Sequence, residues 1–326
     1  MRLINRWHHY LIILLFFQWI TISLAQNLPY PSKIVRIIVP VTAGGNVDLI
    51  ARNTAQKLSE GLGQTFMVDN RPGGSSVIGS GFVAKAAPDG YTLMVAPAGT
   101  HTINPSLMKL PYDTIRDFAA ISIIARGPLM LVAHPSLNVS TLQSLVKLAK
   151  SKPGQIIAAT GGNATAGHLA LEMLMAMSGV RFLQVPYKSN APGLIDTIAG
   201  NAQIMIDTPS TSLPQVKAGK LRAIAVTSRD RMPILPDVAS IAEAGYTNYE
   251  ASVHIGLLGP NGITREIINR LSEEVNKMAS HEELRRQFSA QGVELVGSTP
   301  EEFLTFIKKD IVKWDKVVRE AGIKLY

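Results

Sequence analysis

The segment from residue 33 to residue 63 predicts a strand, a glycine turn and a helix in immediate succession. Residues 34–39 form a short run rich in β-branched side chains, which is typical of a buried parallel strand, and Pro40 ends it. Apolar side chains then recur at helical spacing until Gly61 or Gly63 ends the helix. Such a turn directs unpaired backbone N–H groups and the positive end of a helix at one place, which favours an anion.

The turn itself, Ala43-Gly44-Gly45, is not a known phosphate loop. No Lys-Ser or Lys-Thr follows it, and its spacing is not G-x-G-x-x-G, so a plain strand–helix turn is an equal alternative on spacing alone. We expect Asn46 to cap the helix. The Asp48 carboxylate would compete with an anion, so it either stabilises the helix start or bonds loop amides or a ligand's ammonium group.

Residues 1–25 have the pattern of an export signal. Two arginines precede an apolar stretch at residues 11–22, and Ser23-Leu24-Ala25 is a small-x-small cleavage site. The apolar stretch is short for a membrane span, so a transmembrane anchor is the lesser alternative. Residue 26 is Gln rather than Cys, which excludes a lipid anchor there. We therefore predict a freely soluble periplasmic protein.

The composition argues against several classes of function. The chain has no cysteine, which excludes thiol chemistry and zinc–thiolate sites. Its net charge of +8 is spread along the sequence without a basic stripe interleaved with aromatics, so we expect no nucleic-acid partner. The histidines lack metal-ligand spacing, and neither H-E-x-x-H nor G-x-S-x-G occurs. We expect no catalytic residue, no metal and no cofactor.

The remaining chain continues the alternation of strands and helices. Up to about residue 125 it predicts an α/β unit with a mostly parallel sheet, in which residues 97–105 form a polar loop. A second unit begins near Arg126, and after it the pattern predicts a helix around residues 238–244 and then, after a strand, three closing helices.

The second unit carries its own glycine turn. Residues 160–165 open a helix that runs through Met177, and Asp207 ends a later strand, where the ligand crevice of an open parallel sheet lies. For Asp207 we prefer an acceptor in the cleft, and the alternative is a strand-end cap. Two glycine turns facing each other predict a cleft lined by N–H groups from both units.

From Tyr30 onward, the chain resembles the solute-binding proteins of tripartite tricarboxylate transporters, the Bug-type receptors. The order and spacing of the segments carry the resemblance, since no single one is a strong motif. They are YPSKIVRIIVP, AGGNVD, LSEGLGQTFMVDNRPGG, PDGYTLMVAPAGTHTINP, LPYDTIRDF, VPYKSNAPGLID, AGKLRAIAVTS, LPDVASIAEAGY and STPEEF.

This resemblance implies a periplasmic binding protein type II fold, with two α/β domains, a hinge of two crossing strands and a central cleft that closes on a small carboxylate. Domain 1 would comprise residues 26–125 and 252–326, and domain 2 residues 126–251. The implied ligand contacts are mostly main-chain amides. In this sequence they fall on Val41, Thr42, Ala43, Gly44, Asn46 and Asp48, on Ala98, Gly99, Thr100 and His101, on Gly162, Asn163, Ala164, Thr165 and His168, and on Asp207, Thr208 and His254.

The sequence departs from the family pattern inside these loops. Val41-Thr42-Ala43 replaces an aromatic-Pro or Pro-Pro, the second loop lacks two hydroxyl side chains, and His254 replaces a common Trp. We therefore expect a pocket of altered shape and assign no ligand identity.

The histidines of these segments have alternative roles. For His168 we favour a helix-start or core role over ligand contact. His101 either donates to a carboxylate or holds its loop, and His254 either faces the ligand or packs in the core.

The function that follows is that of a monomeric receptor delivering a small carboxylate to transporter membrane subunits by cleft closure. One alternative is a receptor without a transporter that signals to a membrane sensor. Another is a secreted hydrolase or transferase, for which the sequence offers no nucleophile with a base in reach.

Overall fold

The computed structural model describes residues 30–162, 165–320 and 322–323. The predicted export signal at residues 1–25 and the predicted ligand contacts Asn163 and Ala164 lie outside these ranges. The described strands are β1 (Val35–Val39), β2 (Phe66–Asn70), β3 (Thr92–Pro97), β4 (Phe118–Pro128), β5 (Met130–Ala133), β6 (Ile157–Thr160), β7 (Leu183–Pro186), β8 (Ile204–Asp207), β9 (Arg222–Val226), β10 (Ser252–Pro260) and β11 (Glu294–Leu295).

The described helices cover the faces of the sheets. They are α1 (Asn46–Leu62), α2 (Val77–Ala84), α3 (Asn104–Leu107), α4 (Leu142–Ser151), α5 (Ala166–Ser178), α6 (Asn190–Ala199), α7 (Pro209–Lys217), α8 (Arg265–Ala279), α9 (Glu282–Ser289) and α10 (Pro300–Glu320), with a π-helical turn at Gly99–Ile103 and a 3₁₀ turn at Pro135–Leu137. No helix in the described ranges is long and apolar enough to cross a membrane.

The described strands form two mixed sheets. The first has the order β11-β4-β10-β3-β1-β2, and the second has the order β7-β6-β8-β5-β9. In the first sheet β1 pairs in parallel with β2 and β3, whereas β10 pairs antiparallel with both β3 and β4. Strands β1 to β4, which the sequence predicted, thus all run in one direction, and the sheet is mixed because β10 and β11 come from the far end of the chain in the opposite direction.

Strands β4 and β10 carry the chain between the two sheets. They pair antiparallel from Pro260 opposite Phe118 to Ser252 opposite Pro128. Thr227, which follows β9 and is fully buried, joins the ends of this pair, because its Oγ1 accepts from Leu129 N at 2.6 Å and donates to Ala251 O at 2.7 Å. The connection is thus a short, hydrogen-bonded hinge.

The part of the molecule built on the first sheet and the part built on the second are here called its two lobes. Helix α10 packs into the cores of both. Phe303 and Ile307, in its first half, join a cluster with residues of the first sheet. Trp314, Val317 and Val318, in its second half, join the large cluster around the second sheet. Burial of a large aromatic side chain of this kind contributes strongly to stability.

Three local predictions are wrong. Pro97 ends β3 and residues 98–105 are helical rather than a loop, since Thr102 Oγ1 donates to Ala98 O at 2.9 Å and Pro105 lies in the first turn of α3, where proline is tolerated. Residues 238–244 form turns, because Ile241 N donates to Val226 O and ties the segment to β9. Asn46 is the first residue of α1, and the cap position is Gly45 without a side-chain hydrogen bond.

Candidate functional site

Two of the predicted ligand loops leave the same edge of the first sheet. Strands β1 and β3 are parallel neighbours with Ile38 opposite Met94, so the segments that follow them, residues 41–46 and 98–101, start side by side. In the first segment Val41 is half-buried, while Thr42, Ala43 and Gly44 are exposed. The sheet topology therefore places the two predicted ligand loops, which are far apart in the sequence, next to each other.

The backbone of these loops borders open space. A Cβ built on Gly44, Gly45 or Gly99 would meet no atom within 4 Å, and Gly44 has a φ of +87°, which side chains rarely adopt. Ala98 is buried next to Gly99. The space on the Cβ side of these glycines is therefore open to a small molecule.

Asp48 holds the first loop in place. Its Oδ2 accepts from Gly44 N at 2.9 Å and from Arg52 Nε at 2.9 Å, and its Oδ1 accepts from Asn70 Nδ2 at 2.9 Å. Burial alone would raise the pKa of Asp48, but these hydrogen bonds outweigh burial and hold the pKa below its usual range. Of the alternatives for this carboxylate, the bond to a loop amide is the one in the structure.

The second lobe repeats the arrangement. Strands β6 and β8 are parallel neighbours, so the turn before α5 and Thr208 leave the same edge of the second sheet. Thr165 caps α5, since its Oγ1 accepts from His168 N at 3.3 Å and donates to Gly162 O at 2.9 Å. Gly162 has a φ of +110°. This turn therefore requires a positive φ at residue 162, which glycine adopts without strain.

His168 lies in the first turn of α5 and is mostly buried. Its Nε2 is 3.5 Å from Oε1 of Glu172, one helical turn further on. Burial would raise the pKa of Glu172, but hydrogen bonds from His168 and Gln184 hold it below its usual range. This placement agrees with the helix-start role favoured from the sequence.

Asp207 is fully buried at the end of β8. Its Oδ1 accepts from Asn190 Nδ2 at 2.6 Å and its Oδ2 accepts from Thr211 Oγ1 at 2.6 Å. Burial raises the pKa of Asp207 even though these hydrogen bonds oppose the shift. The carboxylate ties the starts of α6 and α7 to the sheet, so its geometry is closer to the strand-end role than to an open acceptor.

His101 and His254 meet in the interior. Their Nε2 atoms are 3.1 Å apart, and both side chains are about 2% exposed or less. His254 packs edge-on against Phe306, and its Nδ1 lies 3.8 Å from Asp310 Oδ2. The structure thus joins a residue of a predicted ligand loop directly to a residue of a crossing strand, and it places His254 in the packed interior against α10.

A pocket lies between the lobes at the hinge. Its cavity volume is small, about 20 Å³, and the space around it opens to solvent. Its lining includes Asn46, Arg126, Thr208, Ser210, Val253 and Gly292. Asn46 and Thr208 were predicted from the sequence, whereas Arg126 and Ser210 were not, because only the tertiary pairing of the crossing strands brings them to the pocket.

Some buried polar atoms near these loops make no hydrogen bond within the described residues. They include Asn46 Oδ1, Thr100 Oγ1 and Thr160 Oγ1. Each belongs to one of the loops or strand ends on which ligand contacts were predicted. Buried polar atoms usually have partners, so such a group is a reason to look for a ligand nearby.

Two α/β lobes, two crossing strands and a pocket between them define a two-lobed solute-binding protein. Comparison with known proteins gives the family. Residues 50–323 match the family described as "Tripartite tricarboxylate transporter family receptor" (TctC), and the chain belongs to this family. It is 34% identical to "Protein BugT" of Bordetella pertussis over 298 residues, which are 91% of each chain.

Solved structures of the same kind superpose closely. The structure described as "R. palustris Rpa4515 with adipate" has a TM-score of 0.84, 34% identity and coverage of 90% of this chain and 99% of its own. "Structure of periplasmic binding protein BugD" has a TM-score of 0.80, 30% identity and coverage of 90% and 99%. "MatC (Rpa3494) from Rhodopseudomonas palustris with bound malate" has a TM-score of 0.79, 26% identity and coverage of 89% and 100%.

These comparisons confirm the predicted family and fold class. The chain has the two-domain α/β fold of the periplasmic binding proteins of this family. Its family and its structural neighbours are solute-binding receptors rather than enzymes.

Proposed function

We propose that this protein is a periplasmic receptor that captures a small carboxylate between its lobes and delivers it, as a monomer, to the membrane subunits of a tripartite tricarboxylate-type transporter. The observation that supports this most directly is the interlobe pocket, in which the start of α1 at Asn46 meets the start of α7 at Thr208. The neighbours with adipate and malate make a carboxylate the first class of ligand to test.

In this proposal each domain moves as a unit. Domain 1 comprises residues 26–125 and 252–326, and domain 2 comprises residues 126–251. The strands of the two sheets support this division, since β5 to β9 form the second sheet and the other described strands form the first. The hinge lies where β4 and β10 cross, and closure of such a hinge is a common motion of binding proteins.

Recognition rests on backbone N–H groups in this proposal. The backbone at Gly45 and Gly99 borders open space, whereas the Gly44 N–H is already bonded to Asp48, and the helix start at Asn46 adds a positive end dipole. A ligand carboxylate placed there would accept hydrogen bonds from groups that need no side chain. This explains why altered side chains in the loops are compatible with retained carboxylate binding.

The test is a calorimetric titration with adipate and malate of the unmodified protein and of two matched variants. Gly99→Ala adds a methyl group where the protein leaves open space, so we expect at least tenfold weaker binding and an unchanged melting temperature. Gly81→Ala is the control, because it is also a helical glycine and its Cβ would make only an ordinary 3.8 Å contact with Tyr112.

Two results would count against the proposal. The unmodified protein would show no heat and no thermal stabilisation with any small carboxylate, or Gly99→Ala would bind as tightly as Gly81→Ala. A bound ligand normally raises the melting temperature by mass action, so the two readouts check each other.

A further inference from the structure

Arg126 is the charged side chain of the interlobe pocket. Among the described residues that line the pocket, the others are apolar, hydroxyl-bearing, glycine or amide residues. Arg126 lies in β4 on the strand that crosses between the lobes, away from the glycine loops. It therefore offers a cationic donor that is separate from the backbone donors of those loops.

The guanidinium is held by an acidic partner in this structure. Its Nε donates to Glu294 Oε2 at 2.8 Å and its Nη2 to Glu294 Oε1 at 3.4 Å. Glu294 faces Arg126 across the β4–β11 pair, which places both side chains on one side of the sheet. The second Nη2 hydrogen and the Nη1 group donate no hydrogen bond within the described part of the chain.

This ion pair is exposed, so replacing the Glu294 carboxylate by a ligand carboxylate costs little free energy. The side chains are 55% and 56% exposed, and solvent-exposed pairs of this kind contribute little to stability. Arginine binds carboxylates in a planar, two-bond geometry, so a second carboxylate can replace Glu294 or share the guanidinium with it.

The other polar groups of the pocket suit the same anion. Thr208 and Ser210, at the start of α7, line it, and Thr208 makes no side-chain cap bond there, whereas Pro209 between them has no N–H to donate. The side-chain amide of Asn46 has an oxygen that is buried without a partner among the described residues, and rotation of the amide would place its N–H groups there. The Arg126 guanidinium, the start of α7 and the Asn46 amide thus all line the same pocket.

We propose that Arg126 binds the second carboxylate of a dicarboxylate ligand, with Glu294 occupying the guanidinium until that ligand arrives. Arg126 is then the residue that selects dicarboxylates over monocarboxylates. The inference rests on the proposed function, because it assumes that the first carboxylate binds between the lobes.

The experiment compares adipate with hexanoate, which has the same carbon chain and one carboxylate fewer. Titration calorimetry measures both ligands with the unmodified protein and with Arg126→Gln, and malate is paired with 3-hydroxybutyrate in the same way. We expect Arg126→Gln to weaken dicarboxylate binding at least tenfold and to leave monocarboxylate binding unchanged. Arg126→Lys keeps the charge without the two-bond geometry and should lie between.

Two further variants complete the design. Arg231→Gln is the matched control, because Arg231 forms a similarly exposed pair with Glu243 at 2.7 Å and is not part of the pocket lining. It should change neither affinity. Glu294→Gln removes the competing carboxylate and should tighten dicarboxylate binding. Melting temperatures of all variants establish that each one is folded.

The outcomes separate the two proposals. If the unmodified protein binds none of these acids, the proposed function fails and this inference fails with it. If it binds them and a folded Arg126→Gln loses nothing, or loses both ligand types equally, only the selective role of Arg126 is overturned.

Discussion

At the scale of single residues, His101 and His254 are the groups most changed by their surroundings. Burial holds the pKa of His101 well below its usual range, and the neighbouring His254 adds to the shift. Burial also lowers the pKa of His254 to about 3, with a smaller contribution from the cationic Lys313. Both rings are therefore neutral in the folded protein near pH 7, so one Nε2 can donate to the other.

This pair predicts a loss of stability in acid. In the unfolded chain a histidine has a pKa of about 6.5, so below that pH the unfolded state binds protons that the folded state excludes. Stability is full above about pH 6.5 and falls as the pH drops toward 3, by up to about 1.4 kcal/mol per pH unit for each histidine.

The measurement is urea denaturation between pH 4 and pH 8. His254→Phe removes one of the two titrating rings, so its free energy of unfolding should fall less steeply below pH 6 than that of the unmodified protein. Equal slopes for the two proteins would contradict the assignment of acid sensitivity to this pair.

At the scale of elements, one hydroxyl group hydrogen-bonds to both of the chain segments that form the hinge. Thr227 Oγ1 serves Leu129 N and Ala251 O, which lie at the ends of the two chain segments that enter and leave the second lobe. Backbone bonds from Thr227 N to Leu129 O and from Ala251 N to Thr227 O flank this contact. The two crossing segments are therefore fastened to β9 as well as to each other.

Removing this hydroxyl should destabilise the protein. Thr227→Val keeps the shape but leaves the buried Leu129 N–H unpaired, which costs about 1–3 kcal/mol. Thr227→Ser keeps the hydroxyl and should lose less. Chemical denaturation gives the free energies, and a serine variant as unstable as the valine variant would show that packing of the methyl group matters instead.

Most of these elements could be predicted from periodicity, and the exceptions have local causes. The strand at residues 34–39 and α1 follow their patterns closely, because apolar spacing and glycine ends agree there. The segment at residues 97–105 looks like a loop from its polar and glycine content, yet most of it is helical and the Thr102 hydroxyl donates to Ala98 O of its own backbone. Residues 238–244 do not form the predicted helix, because the backbone N–H of Ile241 donates to Val226 O in β9.

At the scale of the whole molecule, α10 joins two cores. Trp314 is 1% exposed within the cluster of the second sheet, and its Nε1 donates to Asp310 Oδ2 at 3.1 Å. Phe303, three turns earlier, is buried against the first sheet. The lobes therefore share buried surface besides the hinge, which favours unfolding as one cooperative unit.

Loss of the indole should weaken that unit. Trp314→Ala is expected to reduce the free energy of unfolding by about 3–5 kcal/mol, as for other large core truncations. Val312→Ala, on the same helix with a side chain 69% exposed, is the control and should stay within about 0.5 kcal/mol. Calorimetry that finds the two variants equally stable would show that Trp314 does not join the lobes.

The site could be predicted from the sequence only in part. The glycine turns were visible because glycine at a strand end leaves a pattern, and Asn46 and Thr208 do line the pocket. Arg126 left no such pattern, since its neighbours in space are Glu294 and Ser210, 168 and 84 positions away. Contacts made by crossing strands depend on tertiary register rather than on local spacing.

The helix rooted in both cores has a kinetic consequence. If the lobes open as proposed, α10 must move with one lobe and lose its buried contacts with the other. The rate of ligand release would then depend on the packing of this helix as well as on the groups that contact the ligand.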